Sequence, residues 1–179
     1  MRVVAGELRG RRLAAPPKRA DVRPTADRVR ESLFAILGDV SGARVLDLFA
    51  GTGALAIEAL SRGAAGATLV DSDTALASRN VEALGLSDRA RVVRADARSF
   101  MRRERATFEL VFCDPPYTLA DRLGPELDKS LPPLLAPGAR VITESAARKP
   151  LELALPLADE RRYGETLIRI HTAPGAAAR

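Results

Sequence analysis

Asp114-Pro115-Pro116-Tyr117 follows an apolar run, Leu110-Val111-Phe112-Cys113, and joins a carboxylate, two ring-locked backbones and an aromatic face. Consecutive prolines fix φ and lack N–H groups, so the turn is rigid and its carbonyls can face a substrate. An exocyclic amine on a nucleobase is a poor nucleophile, because its lone pair is delocalised into the ring. An acceptor on each amine hydrogen holds the nitrogen and favours pyramidal geometry. The Asp114 carboxylate and the Pro115 carbonyl can supply these two acceptors, and Tyr117 a flat surface for a base extruded from its stack, worth roughly 1–3 kcal/mol. The chemistry such a set serves is direct methyl transfer to an amine with no covalent enzyme intermediate, and Asp114, Pro115 and Tyr117 are its catalytic candidates. A simple Pro-Pro turn capped by Asp114 is the structural alternative.

A second group of residues has the spacing of a nucleotide-type cofactor site. Gly51-Thr52-Gly53, entered through Phe49, lies between a strand-like run and a helical one, where an open α/β sheet binds ligands. Backbone without Cβ admits a ligand closely, and the next helix presents free N–H groups. Asp71 ends the following strand, where its carboxylate can accept two ribose hydroxyls. Gly51-x-Gly53-x-x-Ala56, with Asp71 twenty residues beyond Gly51, also satisfies the dinucleotide fingerprint of a nicotinamide dehydrogenase. Asp47 separates the two readings. A carboxylate there suits a cofactor with a cationic amino group, as in methionine, and repels a pyrophosphate; the alternative is a strand-end cap. Asp96, after the third strand, is placed either to accept from an adenine amine or to cap the next helix.

Other chemistries find less support. Cys113 is a candidate nucleophile for pyrimidine C5 methylation, but it ends an apolar strand and reads as core. His171, the single histidine, has no triad motif around it. One Cys and one His provide neither a disulfide nor a thiolate–imidazole zinc site. No run approaches the roughly 18 apolar residues of a membrane span, and the first residues lack a signal-peptide core. The expected location is cytoplasmic, with no metal and a monomeric state.

These residues need elements to hold them. Arg44–Phe49, Ala67–Val70, Arg91–Arg94, Phe108–Cys113 and Ala139–Thr143 read as strands, and 166–171 as a closing one. Ten-residue helical patterns between them, at Ala54–Arg62 and Thr74–Leu84, predict right-handed βαβ units in a mostly parallel sheet with helices on both faces. Ahead of them, Thr25 is a candidate N-cap for a helix with the apolar stripe Val29, Leu33, Ile36 and Leu37. Asp27, Arg28, Arg30 and Glu31 fall on its other face or borders. The 179 residues fit one domain.

Charge is concentrated at one end. Residues 1–30 hold nine basic side chains against three acidic ones; the remainder, with 19 basic and 20 acidic, is nearly neutral. Short strand-like pieces around Gly6–Gly10 predict a basic hairpin, the footprint of a polyanion binder.

The ordered set Val45-Leu46-Asp47-Leu48-Phe49-Ala50-Gly51-Thr52-Gly53, Asp71, Asp96 and Asp114-Pro115-Pro116-Tyr117 resembles the class I amino-methyltransferases. More narrowly, the chain resembles the bacterial 16S rRNA guanine-N2 methyltransferases of the small ribosomal subunit. That likeness is carried by Arg2-Val3-Val4-Ala5-Gly6, Arg9-Gly10-Arg11, Arg23-Pro24-Thr25-x-x-Arg28-Val29-Arg30-Glu31 and Glu58-Ala59-Leu60-Ser61-Arg62-Gly63-Ala64. The resemblance implies a Rossmann-like α/β fold with a seven-stranded sheet, its last strand antiparallel. It implies two parts, a basic arm over residues 1–22 and a methyltransferase domain over 23–179. S-adenosylmethionine would be held by Asp47, Phe49, Gly51, Gly53, Asp71 and Asp96. 16S rRNA in an assembled or nearly assembled small subunit would be gripped by Arg2, Arg9, Arg11, Arg12, Arg23, Thr25 and Arg28. The sequence departs from the pattern at Ala5, where a second glycine is common. N6-adenine or N4-cytosine methylation, and a non-catalytic RNA-binding assembly factor, are the competing functions.

Overall fold

A computed structural model describes residues 1–16 and 27–175, without the side chains of residues 117, 118 and 120–122. Helix α1 (Asp27–Leu37) precedes an alternating series: β1 (Arg44–Leu48), α2 (Ala54–Ser61), β2 (Gly66–Asp71), α3 (Ala75–Ala83), β3 (Ala90–Arg94), α4 (Ala97–Arg103) and β4 (Phe108–Cys113). Helix α5 (Tyr117–Ser130), a 3-10 turn at Pro132–Leu134, β5 (Leu135–Ala146), β6 (Leu157–Tyr163) and β7 (Thr166–Thr172) complete the chain.

The sheet order is β3-β2-β1-β4-β5-β7-β6. Strands β1 to β5 pair in parallel, and β7 runs antiparallel between β5 and β6. Both faces are covered, as parallel strands require. One face packs Val45, Leu110, Phe112 and Ile142 against α1, α2 and α3; the other packs Leu46, Val111, Cys113 and Val141 against α4 and α5. The strand order reverses between β1 and β4, so the carboxyl ends of these two strands flank the crevice of an open α/β sheet.

Three elements differ from the sequence expectation. Helix α5 forms in a segment to which the sequence assigned no element; despite Gly124 and Pro125, Leu123, Leu127 and Leu131 make a buried stripe along it. Strand β6 has almost no apolar alternation; it is an edge strand whose residues are mostly exposed and whose pairing with β7 holds it. In α1 the buried stripe is Arg30, Leu33, Phe34 and Leu37, whereas Ile36 is 38% exposed. Arg30 is thus buried, not on the outer face. Its cost is offset by Asp27 Oδ1 at 3.0 Å, Glu58 Oε2 at 3.7 Å and the carbonyl of Arg2.

Residues 1–13 fold back on themselves with one antiparallel bridge, Arg2 to Arg12, not two full strands. They lie on α2. The Glu58 carboxylate, wholly buried, accepts the Val4 N–H at 2.7 Å and the Ala5 N–H at 3.0 Å. Ser61 accepts from Leu8 through its hydroxyl and from Glu7 through its carbonyl, at 3.0 and 2.8 Å. Gly6 has φ +80°, and a Cβ there would stand 1.8 Å from the Ser61 carbonyl oxygen. Glycine is obligatory at this contact.

Candidate active site

Five acids come together along the carboxyl edge, in the order of the strands. Asp96 follows β3, Asp71 ends β2, Asp47 lies near the end of β1, Asp114 follows β4, and Glu144 is near the end of β5. The sequence singled out the first four as site residues; their side-by-side arrangement is a product of the sheet.

After β1 the chain turns sharply through Phe49, at φ +66° the one non-glycine residue with positive φ among those described. Gly51 and Gly53 follow with φ +55° and +77°. The Asp71 carboxylate holds this turn, taking the Gly51 N–H at 2.7 Å and, on its other oxygen, the Asp73 N–H at 3.0 Å. A Cβ on Gly51 would meet nothing nearer than 4.0 Å, so the loop is open on that side. A Cβ on Gly53 would be 2.7 Å from Leu69 Cδ2, so that glycine serves packing of the turn on β2.

Asp47 is 2% exposed and accepts the Ala56 N–H of α2 at 3.2 Å. It therefore makes the strand-end cap weighed as its structural role. Burial nevertheless pushes its carboxyl up to about 7, against the lowering by that hydrogen bond; the neighbouring Asp71 charge adds to the rise. A carboxylate so poorly compensated by protein is suited to a cationic ligand.

Asp114 is half-buried and its carboxyl is raised well above the ordinary value, by burial first and then by the charges of Glu144 and Asp47. Pro115 is buried; Pro116 is exposed and its carbonyl turns into α5, accepting from Leu119 N–H at 2.8 Å. Tyr117 opens α5, but its side chain lies outside the described residues. Cys113 is 1% exposed, and burial, with Asp114 and Asp47 beside it, drives its thiol upward. A neutral buried thiol is a core residue, not a nucleophile. His171 is likewise 2% exposed, its Nδ1 3.0 Å from the Leu155 carbonyl. Asp96 Oδ1 caps α4 through the Ser99 N–H at 3.0 Å, while the residue as a whole stays exposed.

Arg2, Arg9, Arg11, Arg12 and Arg28 are all exposed, and Arg11 touches the Ala83 carbonyl at 3.4 Å. Arg23 and Thr25 lie outside the described residues. The sequence reading missed Asn80, whose buried amide accepts Ala14 N–H at 2.7 Å and donates to the carbonyls of Ala14 and Thr52 at 3.1 and 2.9 Å. It joins the basic arm to the glycine turn. It also missed Glu58, for which the signal was available: a lone carboxylate in the helix Ala54–Ser61, whose other residues are apolar save Ser61.

The sheet order, the helices on both faces and the switch point between β1 and β4 define a Rossmann-like class I methyltransferase fold. The chain belongs to the family described as Conserved hypothetical protein 95, whose model matches residues 1–172. Ribosomal RNA small subunit methyltransferase D of Escherichia coli (strain K12) is 45% identical over 120 residues, 65% of this chain. The match spans 60% of the length of that relative. The solved structure of "Putative methyltransferase yhhF from Escherichia coli" is 36% identical with a TM-score of 0.81, covering 98% of both chains. The RNA methyltransferase from Salinibacter ruber, solved with S-adenosyl-L-homocysteine, shares the fold at TM-score 0.65 and 19% identity, over 85% of this chain and 94% of that one.

Proposed function

We propose that this protein transfers a methyl group from S-adenosylmethionine to the exocyclic N2 amine of a guanine in 16S rRNA of the small ribosomal subunit. The observation that carries the reading is the placement of Asp47 and Asp114 at the carboxyl ends of adjacent strands at the switch point, both buried enough to be raised by burial.

Residues present fit the cofactor. Gly51 leaves an open approach, Asp71 sits beside it for ribose hydroxyls, and Asp47 offers a carboxylate that a cationic amino group would stabilise. The exposed part of Asp96 is available to an adenine amine. When bound, S-adenosylmethionine supplies a methyl carbon on a cationic sulfur. That positive charge favours the ionised forms of Asp47 and Asp114.

The acceptor amine is held by Asp114 and the Pro115 carbonyl, one hydrogen each. The bound cofactor would give up its methyl group to the amine nitrogen and leave as a neutral thioether, and Asp114 would take the proton that the amine sheds. A carboxylate made more basic by burial takes a proton more readily than a free one, and a positioned acceptor contributes roughly 10²–10⁴-fold. Holding both partners in line contributes ~7–11 kcal/mol. No enzyme nucleophile is required, consistent with the buried thiol of Cys113.

The basic arm of residues 1–22 supplies the RNA surface and residues 23–179 the methyltransferase domain. Arg2, Arg9, Arg11 and Arg12 would contact phosphates of an assembled or nearly assembled small subunit, and Arg23, Thr25 and Arg28 the RNA around the cofactor and target base, in the cytoplasm, with the protein as a monomer. The test is transfer of labelled methyl to small subunits lacking the modification, with naked rRNA and DNA alongside, followed by digestion to nucleosides. Label in N2-methylguanosine, preferentially from subunits, is the expected result. Label in methyladenine or on DNA would keep the chemistry and overturn the substrate.

A further inference from the structure

We infer that Glu144 is a specificity-determining residue of the same site, accepting the N1–H of the target guanine while Asp114 holds its N2 amine. The inference rests on the proposed guanine-N2 reading and adds to it the means by which guanine is told from other amino-bearing bases.

The β4–β5 register pairs Phe112 with Ile142 and Cys113 with Thr143, so Asp114, the residue that follows β4, comes next to Glu144 of β5. Alternation sets the face. Phe112 and Ile142 belong to the core beneath α1 and α2, and Glu144, two residues beyond Ile142, pairs with Ile168 of that same core. Asp114 is likewise two residues beyond Phe112. Asp47 pairs with Phe112 and bonds α2, which places it on this face as well. Both residues therefore stand at the crevice end of neighbouring strands, which run about 4.8 Å apart. Glu144 is half-buried, and its charge acts on Asp114 strongly enough to raise it.

A base extruded into a pocket is read on its Watson–Crick edge. Guanine presents neighbouring donors there, the N1–H and the N2 amine. A pair of acceptors side by side matches it. A base with a lone pair at N1 would set acceptor against acceptor and leave buried polar groups unsatisfied, which is how a hydrogen-bonding site rejects analogues, by up to about 10⁴–10⁵-fold.

The experiment compares a small-subunit substrate carrying guanosine at the target with one carrying 2,6-diaminopurine riboside, which keeps the 2-amine and has a lone pair at N1. The wild-type protein should show kcat/KM for guanosine at least ~10²-fold above that for diaminopurine. Glu144→Gln, whose amide can donate to the N1 lone pair, should narrow the ratio by at least ~10-fold. Glu144→Asp keeps an acceptor and should retain the preference even with a lower rate, so a general loss of fold or activity does not mimic the effect. Cofactor-induced thermal shift confirms that each variant is folded. Equal wild-type use of both bases, or an unchanged ratio in Glu144→Gln, overturns the inference. Failure of the guanine-N2 reading shows itself separately, as wild-type label in a different nucleoside.

Discussion

The Glu58 carboxylate accepts the Val4 N–H at 2.7 Å across 54 residues of chain, and both groups sit where no solvent reaches the carboxylate. The basic arm is consequently built onto α2, the helix that begins at the glycine turn. Arg62 at 2.8 Å and Arg30 at 3.7 Å share the charge of Glu58.

Glu58→Ala should therefore cost about 3–5 kcal/mol of stability, because it leaves two backbone donors unpaired and takes one of two carboxylates from the buried Arg30, which keeps Asp27. Chemical denaturation measures it. A loss below about 1 kcal/mol would show that the network contributes little.

Asp114→Asn should lower turnover by at least ~10²-fold while cofactor binding survives, since an amide cannot take the amine proton. Single-turnover transfer and calorimetric titration of the cofactor separate the two effects. Unchanged turnover would remove Asp114 from the chemistry.

Asp47 links stability to pH in an unusual direction. Its folded-state value is raised from 3.8 to about 7, so between those limits the native state keeps a proton that the unfolded chain has lost. Stability contributed by this group therefore falls as pH rises through that window and stays low above it. Asp47→Asn should raise the melting temperature of the ligand-free protein at pH 8 while weakening the cofactor. In the wild type, cofactor affinity should drop about tenfold per pH unit below about 7, as Asp47 takes up its proton. Affinity flat from pH 8 to pH 5.5 would exclude a role for its charge.

The two turn glycines should respond differently. Gly53→Ala, with a Cβ 2.7 Å from Leu69 Cδ2, should cost about 1–3 kcal/mol in stability through overpacking. Gly51→Ala meets open space and should cost only about 1 kcal/mol for its left-handed backbone, its larger effect falling on cofactor affinity. Thermal unfolding with and without cofactor distinguishes them; equal losses in both would contradict the assignment.

Reversing the charges of Arg9, Arg11 and Arg12 should weaken binding to rRNA and flatten its salt dependence by about 0.7–0.9 per lost phosphate contact. An unaltered salt slope would place the RNA surface elsewhere.

The sequence alone specified what is local or periodic. Strand cores from β1 to β4, the glycine turn with Asp47 and Asp71, and the rigid turn after Cys113 are legible because neighbours in the chain and the periods of helix and strand define them. Strand β6 was not legible, since an exposed edge strand needs no apolar alternation and is held by its partner β7. Arg30 read as a surface residue, because the groups that compensate its charge, Glu58 and the Arg2 carbonyl, come from other elements. Only the tertiary structure decided that Asp114 and Glu144 stand side by side. Their adjacency follows from the register of β4 on β5, which is set by core packing between segments separated in the chain and carries no short-range signal.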